Sequence, residues 1–248
     1  MRSHFVQARI TPAVIARLQD EYPTFQAEPE VSGTSISMDT SGLNEVQLHR
    51  LGLDLEFFER NPTLPLENLC ANLDTYFPRT ESQTEMLEYA RRLAALKDEG
   101  VGAGLYMWGE AGIGKSHISV GLAKEFMERG LDPIFMTADT YSFDTHLRLE
   151  PGQVWIIDDM NSGYGISSRL YKKVILNIHD RGGRVFVTSN KPYEELMREM
   201  FVGDGEAERM RYEDRTKGMF KILHVIGESY RQEQAWYHRD QEGQDSPE

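Results

Sequence analysis

Cysteine is almost missing from this sequence: Cys70 is the one thiol in 248 residues. An intrachain disulfide is therefore impossible, and a disulfide-built fold is excluded; a lone thiol fits a reducing, cytoplasmic compartment. Long apolar runs are lacking too. No stretch approaches the roughly twenty residues of a membrane helix, and Met1 to Ile10 alternates polar and apolar side chains. Neither a membrane partner nor a signal peptide is expected. Positive charge is scarce, with 27 Lys and Arg against 40 Asp and Glu for a net charge of -13. The acidity is spread over both halves, so a strongly cationic nucleic-acid binder is excluded at the level of net charge, although a local basic strip is not. What remains is 40% hydrophobic and 27% charged, ordinary for a globular chain with a sizeable core.

Punctuation divides the chain. Thr11-Pro12 predicts a helix through Tyr22, with Thr as N-cap and Val14, Ile15 and Leu18 on the apolar face. Glu28 to Gly42 reads as a loop or linker. Asn44 to Glu59 predicts a second helix carrying Val46, Leu48, Leu51, Leu53, Leu55, Phe57 and Phe58, and the prolines at 62 and 65 set a soft boundary. Residues 1–63 are thus expected to form a small helical region for packing or partner binding. Residues 64–237 form the main domain, and 238–248 a disordered tail. In the main domain Thr80-Glu-Ser-Gln83 forms a capping box for a helix to about Asp98. Strands are expected at Gly104–Trp108, Pro133–Thr137, Val154–Ile157, Arg184–Thr188 and Ile222–Ile226. Helices are expected at Lys115–Arg129, Ser168–Asp180 and Tyr193–Met200. This alternation predicts an α/β fold with a parallel sheet and flanking helices.

Gly109-Glu110-Ala111-Gly112-Ile113-Gly114-Lys115-Ser116 satisfies the phosphate-loop pattern G-x-x-x-x-G-K-[ST], between a strand and a helix as the pattern requires. Glycines let successive N–H groups turn inward as an anion nest, and the helix start adds its positive dipole end. Lys115 then supplies a charge to the β- and γ-phosphates of ATP, and the Ser116 hydroxyl is placed for Mg²⁺. A chance glycine-rich turn explains the loop less well once strand and helix are in place. The apolar run Val154-Trp-Ile-Ile ends in Asp158-Asp159, which offers one acid for Mg²⁺ and one to orient or deprotonate an attacking water. The shorter reach of Asp at the second position, where Glu would extend further, argues for slow hydrolysis. Val185-Phe-Val-Thr-Ser-Asn190 adds a strand ending in a polar amide.

Together these segments resemble the bacterial replicative-helicase loaders and transposition-helper ATPases, the DnaC/IstB-like branch of the AAA+ proteins, over roughly Leu64 to Arg231. Gly104 to His117 is similar to the family's P-loop strand and helix, and Ile156-Ile-Asp-Asp159 to its acidic strand. Ile175 to Asn190, the most distinctive stretch, is similar to its helix and sensor strand. The resemblance implies a RecA-like AAA+ domain with a reduced or absent lid, in which ATP sits between neighbouring subunits of a head-to-tail oligomer. It implies that His117 belongs to the nucleotide loop and that Asn190 positions water between the acids and the γ-phosphate. Arg215, in Glu213-Asp-Arg-Thr216, falls in the box that supplies an arginine finger, with Arg209 and Arg211 as alternatives. Arg231 matches a position at which loaders contact nucleotide.

The same resemblance implies a helicase-loading switch in DNA replication, with a replicative helicase or a transposase-like protein as partner and single-stranded DNA as an open possibility. Two alternatives stand beside it: a transposition helper on duplex DNA, and a protein-remodelling ATPase with no DNA role. Basic side chains gather at Arg169, Lys172, Lys173, Arg181 and Arg184, and again at Arg209, Arg211, Arg215, Lys217 and Lys221. Tyr164 and Tyr171 flank the first group and offer stacking surfaces, although charged helix faces are more often simply solvated.

Overall fold

A computed structural model describes residues 10–29, 36–96, 104–138, 153–161, 175–202 and 205–231. The chain divides into two compact units, Met1–Ala71 and Asn72–Glu248, so the boundary expected near residue 63 falls inside the first.

The first unit begins with α1 (Pro12–Glu21), capped by Thr11 and burying Val14, Ile15 and Leu18. The segment expected to be a loop holds two short strands, β1 (Gln26–Pro29) and β2 (Ile36–Asp39), paired antiparallel with Gln26 opposite Asp39. Polar closures hold the far side of this hairpin: Thr24 Oγ1 donates to Gly42 O, and Ser41 N–H donates to Asp39 Oδ1. Such local side-chain bonds are what Ser, Thr and Asp supply at the ends of paired strands, so the same residues read as a loop in sequence. Helix α2 (Glu45–Arg60) starts with an Asn44/Gln47 capping box and buries Leu51, Leu55, Phe57 and Phe58. The apolar face is narrower than expected, since Val46 and Leu48 are exposed. Asp54 is buried among these residues because its carboxylate accepts a 2.8 Å hydrogen bond from Tyr22 Oη.

The second unit is built on a five-stranded, all-parallel sheet. Helix α3 (Glu81–Ala95) opens on the expected Thr80/Gln83 capping box. It is followed by β3 (Gly104–Trp108), α4 (Lys115–Glu128), β4 (Ile134–Thr137) and β5 (Val154–Asp158). Then come α5 (Leu176–Asp180), β6 (Arg184–Ser189), α6 (Tyr193–Met200), α7 (Glu206–Lys217) and β7 (Phe220–His224). The spatial order is β4-β5-β6-β3-β7. β5 and β6 are buried along their whole length, which accounts for their unbroken apolar runs. On one face Trp155, Ile157, Val185 and Val187 pack with Tyr106, Tyr193 and Phe220.

Two expectations need correction. The last strand lies two residues earlier than Ile222–Ile226, because its parallel register pairs Gly104 with Phe220 and Trp108 with His224. Ile226, past the end of that pairing, is 61% exposed. Arg184 is not a surface cation of the first basic group: it opens β6, is buried, and its guanidinium lies 5.1 Å from the centre of the Phe126 ring. Arg169, Lys172, Lys173, Tyr164 and Tyr171 lie outside the described residues. No helix among the described residues is long and apolar enough to cross a membrane.

Candidate functional site

The parallel order sets β3 between β6 and β7 and β5 beside β6, so the C-terminal ends of β3, β5 and β6 converge. Gly109 N–H donates to Ser189 O, and Val225 N–H donates to Trp108 O, so the loop after β3 hangs between its neighbours. Gly109 has φ 149°, and a Cβ there would meet Val225 O at 2.1 Å. Gly112 has φ 81°, and a Cβ there would meet Ser229 Oγ at 2.0 Å. At both positions the close approach of the 225–231 segment, added to the backbone angle, requires glycine.

Lys115, at the start of α4, is only 5% exposed. Its ammonium donates to Gly109 O at 2.9 Å, to Glu110 O at 2.7 Å and to Asn190 Oδ1 at 3.1 Å. Burial pushes its pKa down to about 8 despite the opposing charges of Asp159 and Asp158, and the charge of Arg231 adds to the depression. Arg231 is therefore close enough to be felt at the loop. The Ser116 hydroxyl donates to Asp158 Oδ1 at 2.7 Å, so the loop and the acidic strand are already joined. Asp158 is 3% exposed, and burial drives its carboxyl above the usual range while hydrogen bonds from Thr188 and Ser116 pull it back. Asp159 is exposed and has φ 55°, a left-handed backbone that turns it out of the line of β5. Among the described residues no group of three or more His, Cys, Asp and Glu side chains forms a metal cage. One buried carboxylate beside one hydroxyl suits a Mg²⁺ that takes its other ligands from phosphates and water.

The Asn190 side chain lies within reach of Lys115, its amide oxygen accepting from the ammonium at 3.1 Å. His117 faces elsewhere: its Nε2 lies 2.9 Å from Asn72 O, and its ring centre lies 5.6 Å from that of Tyr76. Glu110 and Ala111 are exposed at the loop tip, while Ile113 is buried beneath it. Arg215 is not brought to this chain's own loop. Its guanidinium pairs with both carboxylate oxygens of Asp180 at the end of α5. Arg209, on the same helix, faces Glu206 and Glu213 at 3.8 and 3.9 Å.

Several residues at the loop were not assigned to the site from sequence. Tyr76 Oη donates to Ile113 O at 3.0 Å, and Gln83, besides capping α3, reaches the same carbonyl. Tyr230 N–H donates to Gly112 O, and its hydroxyl donates to Phe77 O, with Arg79 4.2 Å above its ring. The segments before α3 and after β7 therefore brace the phosphate loop. Asn161 is the other addition: its Oδ1 accepts from Asn190 N–H, and its amide donates to Asp159 Oδ1 at 3.3 Å.

The crystal structure of DnaI superposes with a TM-score of 0.57 at 17% sequence identity, over 67% of this chain and 93% of that one. The fold is the P-loop AAA+ fold. A candidate primosome component from Streptococcus pyogenes serotype M3 gives a TM-score of 0.51 at 19% identity, over 70% of this chain and 96% of its own. No protein-family model matches the sequence, and no curated protein matches it either.

Proposed function

We propose that the chain is an ATP-binding, Mg²⁺-dependent AAA+ ATPase acting as a switch of the replicative-helicase-loader kind. The observation that carries this reading is the convergence of Lys115, Ser116, Asp158, Asp159 and Asn190 at the ends of three neighbouring strands, with Ser116 bonded to Asp158 at 2.7 Å. Lys115 donates to two carbonyls of its own loop, and phosphate oxygens are stronger acceptors for the same ammonium. The loop N–H groups from Gly109 to Ser116 receive the phosphates. Ser116 and Asp158 would hold Mg²⁺, which would supply charge neutralisation to the bound phosphates. Asp159 faces solvent, where it orients the attacking water, and Asn190 steadies the γ-phosphate side through Lys115. Arg215 serves the loop of a second copy of the chain, which makes ATP a link between subunits. Arg231 contacts the nucleotide from the segment after β7.

The likeness of motifs to helicase loaders, and of fold to a candidate primosome component, favours a replicative helicase as the protein partner. The first unit is the natural candidate for gripping it. The test is phosphate release by wild type and Asp159→Asn with Mg²⁺ and ATP, followed by sedimentation with a hexameric replicative helicase and single-stranded DNA. ATP-dependent co-sedimentation, with turnover lost in Asp159→Asn, is expected. Wild-type turnover by Asp159→Asn would remove the catalytic assignment. Long filaments on duplex DNA without helicase binding would move the chain to the transposition helpers.

A further inference from the structure

Thr188 sits where the two acids meet. It lies in β6 and has no exposed surface. β6 runs beside β5 with Val187 opposite Ile157, so the next residue of each strand brings Thr188 beside Asp158. A hydroxyl has one proton to give and lone pairs to receive. The Thr188 proton goes to Asp158 Oδ1 at 2.6 Å, and Thr188 Oγ1 accepts the backbone N–H of Asp159 at 3.0 Å. Its carbonyl oxygen takes the next N–H, that of Met160, at 2.8 Å.

We propose that Thr188 is a positioning residue that sets the orientation of Asp158 and Asp159 toward each other. Asp158 Oδ1 is held twice, by Thr188 and by Ser116, so the carboxylate cannot turn without breaking a bond. Asp159 leaves the strand at φ 55°, and its N–H has left the β5 ladder; the Thr188 hydroxyl replaces the lost ladder partner. One side chain therefore couples the acid on the metal side to the backbone of the acid on the water side. What the acids do rests on the ATPase reading above, whereas the position of Thr188 does not.

The experiment compares Thr188→Val, which keeps the shape and removes the hydroxyl, with Thr188→Ser, which keeps the hydroxyl. Amide hydrogen exchange by NMR, without nucleotide, is expected to quicken about tenfold or more at Asp159 in Thr188→Val while β3 and β6 keep their protection. Thr188→Ser stays near wild type. With ATP, Thr188→Val should lose about 10- to 100-fold in kcat and need more Mg²⁺ for half-maximal rate, with ATP affinity in EDTA unchanged. Thr188→Ser restores both. Unchanged exchange at Asp159 in Thr188→Val overturns the proposal. So does a variant that loses thermal stability but neither rate nor Mg²⁺ response, or a serine variant as impaired as the valine one. If wild type binds no ATP, the ATPase reading falls, and the exchange comparison still decides the position of Thr188. Should the valine variant not fold, Thr188→Ala takes its place.

Discussion

The phosphate loop and helix α7 carry the same kind of charge under opposite conditions. Lys115 is 5% exposed and held by three oxygens of its own fold, while the Arg215 side chain is 41% exposed and rests on one surface carboxylate, Asp180. A cation that serves its own chain can be packed to a fixed position, at the cost of a depressed pKa. In the role proposed for Arg215, a cation that serves another subunit has to stay at the surface with a partner it can leave. An exposed ion pair contributes only about 0–1 kcal/mol, so the Asp180 contact is weak enough to be exchanged for a phosphate.

The largest test of this contrast is Arg215→Ala. It should leave MgATP affinity within about twofold and lower turnover on the order of 10³-fold. Mixing it with Lys115→Ala should restore part of the activity, since some interfaces then pair an intact loop with an intact finger. A fully active Arg215→Ala would transfer the role to Arg209 or Arg211. Next comes Asp159→Asn, expected to bind MgATP like wild type while phosphate release falls by about 100-fold or more. Asp158→Asn should instead weaken Mg²⁺-dependent binding about 10-fold, read as the difference between affinities with and without the metal. The smallest effect belongs to Asp180→Asn. Freeing Arg215 should strengthen ATP-dependent assembly by at most about fivefold in sedimentation, as befits a surface pair. No change there would mean that Asp180 does not hold the finger back.

The two regions also differ in how much the sequence discloses. The phosphate loop is legible because strand, glycines, lysine and helix are contiguous, and the acids because they end an apolar run. Residues that act across the sheet are harder to read. Thr188 looks like one more β-branched strand residue until β6 is known to lie beside β5, which only the strand order supplies. Asn161 looks like a turn former, and its bonds to Asp159 and Asn190 depend on two strand ends meeting in space. Tyr76, Gln83 and Tyr230 brace the loop from segments far away in the chain. Arg184 is hard to read for a related reason: it follows Arg181 by three residues in sequence, but its neighbours in space include the Phe126 ring.

Lys115 is the proposed phosphate-binding cation of the ATP site. Burial holds its pKa at about 8 in the free chain, and bound phosphate must raise it, because an adjacent anion favours the charged form. Near pH 8 part of the Lys115 population is neutral, so MgATP binding has to draw in protons, and affinity should decline as pH climbs further. Titration calorimetry with MgATP at pH 8, in two buffers of different ionisation heat, measures both quantities. The account predicts uptake of a fraction of a proton by wild type, and for Lys115→Ala a loss of about 100-fold in affinity together with that uptake, since about 2–3 kcal/mol of charged hydrogen bonding is removed. Wild-type affinity in Lys115→Ala, or proton release on binding by the wild type, would contradict it.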